Sequence, residues 1–323
     1  MLFSGSVILR SVVILATMIR ATLLIILLVT GLALATAQTP PPTPTDQTLP
    51  RPRVAQTEIP DRRVELKSLP GATLFTTPTF NSNKRVPLLV HFHGAPWLIE
   101  THIARSMPQA ALITVQLGSG SSVYRKPFEK PELFRELLDE ARQVLSLKHG
   151  WSSITLTGFS AGYGGIRQIL RRPEHFALVN NVLLLDGMHA SYSPEGRPLA
   201  DGGQILASDV EAFVSFAREA AAGRKNLVIT HSEIFPGTYA SNTETADYLL
   251  SQLNAASARP VGKTLKQDFQ RKLKPVNGPI GMQQLSELDK RGLHLRGYAG
   301  NTAREHVDFL HAMPAWFPLL RIR

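Results

Sequence analysis

Ser160 stands in the segment Gly158-Phe159-Ser160-Ala161-Gly162, with a glycine two positions away on either side. The segment follows the strand-like run Ile154-Thr155-Leu156-Thr157 and opens onto a helical pattern. A turn this tight between strand and helix leaves no room for a Cβ beside it, which explains the glycines. It also lifts the serine hydroxyl above the end of the strand. A base and an electrophile can both reach it there, as a nucleophile that forms a covalent intermediate requires. Gly164 and Gly165 would let the next helix pack closely. These glycines do not make a nucleotide loop, because G-x-G-x-x-G cannot be threaded through them. Gly262-Lys263-Thr264 lacks the first glycine of a phosphate loop, since Ser257 occupies that place.

A second segment, His91-Phe92-His93-Gly94-Ala95-Pro96-Trp97, closes an earlier apolar run. When a hydroxyl attacks a carbonyl, the oxygen becomes an oxyanion, and each backbone N–H aimed at it lowers the barrier by about 3 kcal/mol. Gly94 and Ala95 in this loop, with Ala161 after the serine, are the candidate donors. His91 and His93 alternate along a strand and could share a face, but no carboxylate accompanies them to complete a metal site, so no metal is expected.

With the serine turn and the His93-Gly94 loop together, the chain resembles the α/β-hydrolases from about Val64 to its end. His93-Gly94 is similar to the oxyanion loop of lipases and esterases, without their longer His-Gly-Gly-Gly form. The resemblance implies a serine hydrolase that cleaves carboxylic esters, and less readily amides, through an acyl-enzyme on Ser160, without metal or organic cofactor. It also implies the chain order nucleophile, acid, histidine. His306, after the last strand, would then be the base, with His311 deeper in the following helix as its competitor. Asp186 directly ends an apolar run and would be the acid; Glu233, one strand later, is the alternative. His189 and His231 also follow strands and are expected to be satisfied polar residues. An acyltransferase with the same triad, and a hydrolase-like binding protein without activity, are the competing readings.

These residues need a scaffold that brings strand ends together. Short apolar runs at 88–92, 111–117, 154–157, 182–185, 227–230 and 293–298 read as strands. Helical periods at 131–147, 161–170, 209–222, 243–253 and 304–312 alternate with them. Strand and helix in alternation mean a mostly parallel, doubly wound sheet with helices on both faces, an α/β fold. Ligands of such sheets sit at the carboxyl ends of the strands, where each candidate residue falls. Loops at 118–128, including Tyr124, and at 187–208 should border the pocket, the second as a small lid. Residues 257–289 read as a stretch of low order.

The N-terminus reads as an address. An apolar run at 21–34 follows Arg20 and precedes Ala35-Thr36-Ala37, a small-x-small cleavage signal. We expect a signal peptide over 1–37, with Met18 a candidate true start, then a proline-rich linker over 38–53 and a catalytic domain over 54–323. On this reading the protein is exported, periplasmic or secreted, and keeps no stable membrane anchor. The net charge of +10 comes from scattered lysines and arginines without interleaved aromatics, so no nucleic-acid partner is expected. The substrate would be a small or polymeric ester. The absence of cysteine excludes disulfides, thiolate metal sites and a cysteine nucleophile.

Overall fold

The strands at the centre of the sequence are apolar at every position because they are covered on both sides. Leu88–Phe92 (β3) and Ala111–Val115 (β4) are buried throughout, the pattern of parallel strands between two helical layers. The computed structural model describes residues 53–56, 62–257, 260–261, 264–265 and 268–322. The expected signal peptide over 1–37 and the linker over 38–53, Arg53 apart, lie outside the described residues.

Ten strands form the main sheet. Besides β3 and β4 they are Arg62–Glu65 (β1), Ala72–Thr76 (β2), Ile154–Phe159 (β5), Asn181–Leu185 (β6), Asn226–His231 (β7), Lys272–Asn277 (β8), Gln283–Lys290 (β9) and Leu293–Tyr298 (β10). Their order across the sheet is β1-β2-β4-β3-β5-β6-β7-β10-β9-β8. The six strands from β4 to β10 are parallel; β1 and β2 at one edge and β8 and β9 at the other are antiparallel additions. The α/β architecture expected from the sequence is thus present. The chain leaves β3 toward β4 and returns on the other side of β3 to form β5. That reversal opens a crevice at the carboxyl ends of β3 and β5.

Alternate residues of the central strands feed two cores. Leu88, Val90 and Phe92 pack with helices Leu133–Val144 (α2), Tyr163–Leu170 (α3), Ala207–Ala221 (α4) and Asn242–Ser257 (α5). Leu89, Leu112 and Leu183 face the opposite side, with Pro96–Ser106 (α1) and Ala303–Ala312 (α6). Near its start the described chain is fastened to α6. Arg53 Nη2 reaches Asp308 at 3.0 Å and the Arg304 carbonyl at 3.1 Å, and the Val54 amide donates to His311 Nδ1 at 3.0 Å.

Two expectations are corrected. The 257–289 stretch is not of low order throughout, because β8 and β9 form within it and extend the sheet as a meander from β10. In β9, Gln284, Ser286 and Leu288 point inward while their neighbours point out, so the alternation is real but carried largely by polar side chains. The helical period expected over 131–147 forms α2 only from Leu133 to Val144, so Pro131 precedes it.

Candidate active site

Three strand ends converge on one crevice, and each bears a residue in an unusual backbone conformation. His93 after β3, Ser160 after β5 and Asp186 after β6 have φ of +66°, +47° and +46°. A side chain in this left-handed region costs about 1–2 kcal/mol, and such strain gathers where surrounding structure holds a functional group in place.

Ser160 opens a single helical turn, Ser160–Gly162, ahead of α3. The helix expected from residue 161 therefore starts two residues late, because the elbow itself is the tighter turn. Gly162 makes the elbow feasible: a Cβ there would lie 2.1 Å from the carbonyl oxygen of Phe92. Ala161, second in the turn, has an amide that helix geometry leaves without an internal acceptor.

His306 lies in the first turn of α6. That turn is held by a capping box, in which the Thr302 amide donates to Glu305 Oε2 at 3.0 Å. Its Nδ1–H donates to Asp186 Oδ2 at 2.7 Å. A carboxylate only accepts, so this bond fixes the tautomer and leaves Nε2 with a free lone pair. The ring packs on Phe159, the residue before the nucleophile candidate, at 4.4 Å between centroids. The Ser160 hydroxyl makes no hydrogen bond among the described residues, so no bond yet joins it to His306 Nε2.

Asp186 is fully buried. Its Oδ1 accepts from the Ser232 amide and from Asn242 Nδ2, each at 2.8 Å, and its Oδ2 accepts from the Ser232 hydroxyl at 2.8 Å as well as from His306. Burial opposes its ionisation. The hydrogen bond and charge of His306 and the bonds from Ser232 outweigh that effect and hold the carboxyl below its ordinary range. Glu233, the alternative acid, is bound up elsewhere: its Oε2 accepts from the Gly300 amide at 3.2 Å, and its own amide donates to the Gly300 carbonyl at 2.9 Å. It ties the loop after β10 to the end of β7.

The loop after β3 is set by a buried histidine. His91 Nε2 donates to the His93 carbonyl at 2.6 Å, and its Nδ1 lies 2.7 Å from the Thr157 hydroxyl. Desolvation lowers its pKa to about 3, so it is neutral. The carbonyl and N–H of one trans peptide point in opposite directions. With the His93 carbonyl held inward, the Gly94 N–H therefore faces away from the His91 ring. The Gly94 and Ala95 amides find no acceptor among the described residues. His93 turns from His91, lies parallel to Phe159 at 5.9 Å and meets the Tyr124 hydroxyl at 2.9 Å. The two histidines therefore do not share a face, and no group of three metal-ligating side chains occurs among the described residues.

A cavity of about 460 Å³ opens beside Ser160 and Ala161. Gly120, Ser121, His189 and Ser191 line it, as the loops at 118–128 and 187–208 were expected to do. Tyr124 does not: it is fully buried and supports His93. His189 is more than a satisfied loop residue. Its Nδ1 meets the Ala240 carbonyl at 3.0 Å, and its ring stands edge-on to Tyr163 and Tyr239. His231 lies outside this cavity, bound to Arg271 Nη1 at 2.7 Å. His311 packs against the N-terminal segment through Val54.

No protein-family model and no curated protein matches the chain. Solved structures do. One is the S954A mutant of a feruloyl esterase module from Clostridium thermocellum complexed with sinapinate. It has 10% identity and a TM-score of 0.45, covering 85% of this chain and 99% of that one. Another, a thermostable esterase, has 15% identity and a TM-score of 0.40 over 80% of this chain and 58% of its own. A Pyrococcus horikoshii acylaminoacyl peptidase has 14% identity and a TM-score of 0.38 over 59% of this chain, which spans only 35% of the peptidase. What this chain's residues do follows from their own geometry.

Proposed function

We propose that the chain is an exported serine hydrolase that cleaves carboxylic esters, with Ser160 as nucleophile, His306 as base and Asp186 as acid. The observation that carries this reading is the 2.7 Å bond between His306 Nδ1 and a buried, ionised Asp186, made by a ring packed against Phe159 beside the strained Ser160. Asp186 keeps the imidazole in the tautomer whose Nε2 can accept a proton and stabilises the imidazolium that results.

The reaction proceeds in two halves. His306 Nε2 takes the Ser160 proton as Oγ bonds to the ester carbon, and the carbonyl oxygen becomes an oxyanion before the Gly94, Ala95 and Ala161 amides. His306 returns the proton to the departing alcohol oxygen. Water then attacks the acyl-serine by the same route and releases the acid. Catalytic hydrogen bonds of this kind are commonly long or unmade without substrate and tighten when it arrives.

Labelling with a fluorophosphonate probe tests this reading, since only an activated serine reacts. We expect the folded protein to be labelled at Ser160 and the Ser160→Ala variant to stay unlabelled. An unlabelled wild type would remove the enzyme reading.

A further inference from the structure

The hydrolytic steps leave unused a group of polar side chains lining the cavity beside Ser160. Tyr163 and Arg167 follow the nucleophile by three and seven positions, on one side of α3, and both line the cavity. At the rise of a helix, the Arg167 Cα lies about 10 Å along the helix axis from the elbow, and its guanidinium folds back over Tyr163. Asp209, near the start of α4, and Ser191 line the cavity as well.

Arg167 is only 8% exposed. Its Nη1 meets Asp209 Oδ1 at 2.8 Å and the Asp209 main-chain carbonyl at 3.3 Å, and its guanidinium lies 5.3 Å from the Tyr163 ring centroid. Its Nε is enclosed without a partner among the described residues. Asp209 Oδ2 accepts from the Ser191 amide at 2.9 Å. The two charges cancel, but a guanidinium has more donors than one carboxylate contact fills, and a carboxylate oxygen accepts more than one bond. The pair therefore offers a donor and an acceptor side by side in the wall of the cavity.

The chemistry of that pair selects among substrates. An alkyl chain placed there would strip water from both groups and return no hydrogen bond. A carboxylate would be drawn to Arg167 and repelled by Asp209 at nearly the same distance. A neutral group with adjacent hydroxyls satisfies both, accepting from Arg167 and donating to Asp209. Tyr163 and Tyr239 add flat aromatic surface along the cavity, suited to the C–H face of a ring. The volume falls within the range of small-molecule sites.

We propose that the cavity binds a polyhydroxylated alcohol, such as a sugar ring, as the alcohol part of the ester, and that Arg167 and Asp209 set this specificity. The proposal rests on the assignment of Ser160 as nucleophile. The Ser160 oxygen bonds to the acyl carbon, the bond from that carbon to the sugar oxygen breaks, and the sugar leaves with the proton carried by His306. Water then converts the acyl-serine to free acid and serine.

The test separates binding from turnover. Methyl glucoside is titrated into the full-length Ser160→Ala variant by calorimetry, with cyclohexylmethanol as the apolar control. We expect the glucoside to bind and the control not to. Affinity should fall tenfold or more when Arg167→Met or Asp209→Asn is added, with the melting temperature recorded for each. Arg167→Lys, which keeps charge and stem but loses the planar fork, should show the same loss. Absence of glucoside binding, or equal affinity in all variants, or preference for the apolar alcohol, overturns the proposal. Fluorophosphonate labelling of the wild type is read alongside. Labelling without glucoside binding removes the sugar site and keeps the hydrolase. Glucoside binding without labelling keeps the site and removes the hydrolase.

Discussion

Gly187 lies against the backbone of Ser160, so close that a Cβ added to it would sit 2.4 Å from the Ser160 carbonyl oxygen and 2.7 Å from its amide nitrogen. Asp186, the neighbour of Gly187, carries the carboxylate that holds His306. The residue after Asp186 is thus the floor under Ser160, and the spacing of the two depends on a missing side chain. Gly187→Ala should push the elbow outward. We expect a fall in kcat of about 10²-fold or more, the usual result of misplacing a reacting group by an ångström. Circular dichroism should still show a folded protein.

Ser160→Ala removes the reacting atom and little else. On a panel of 4-nitrophenyl esters we expect activity to fall by about 10⁴-fold or more with no loss of thermal stability. Residual hydrolysis near the wild-type rate would place the nucleophile elsewhere.

Asp186 has two duties that different substitutions separate. Asp186→Asn keeps the shape but loses the charge and the preferred tautomer of His306; kcat should drop by about 10⁴-fold. Asp186→Ala also abandons the donors from Ser232 and Asn242. It should cost a further 1–3 kcal/mol or so in urea unfolding. An alanine variant as stable as the asparagine one would contradict this division.

His91 gives a pH dependence of stability. Its pKa is about 3 in the folded protein, against an ordinary value of 6.5. The folded state therefore binds fewer protons than the unfolded state between those values. Its contribution is whole above pH 6.5 and is lost as the pH falls toward 3, by at most about 5 kcal/mol. His102 and His231, each lowered to about 4 by burial, act in the same direction. Urea unfolding of wild type and His91→Asn at pH 7 and pH 4.5 should show a smaller loss in the variant. An equal loss would mean that His91 does not stay neutral.

The parts of the site that local chemistry dictates were legible in the sequence. A serine between glycines after a strand announces its own turn, and an aspartate after four apolar residues must have a partner. His306 required the order implied by the resemblance, because nothing near it in sequence sets it apart from His311. The partners of Asp186 were not legible. Ser232 and Asn242 lie 46 and 56 positions away and are ordinary polar residues until the fold brings them in. Arg167 was hidden for the same reason, since its counter-charge comes from another helix. The strands β8 and β9 escaped notice because the apolar alternation that marks a strand is absent from one and filled with polar residues in the other.

The bonds from Arg53 and Val54 to α6 join residues 251 and 257 positions apart. Neither can form until the final helix has been synthesised, and that same helix supplies the imidazole. A chain without α6 would lack both the clasp and the His306 imidazole. Fastening of the N-terminal segment and the place of the His306 ring beside Asp186 therefore depend on one and the same helix.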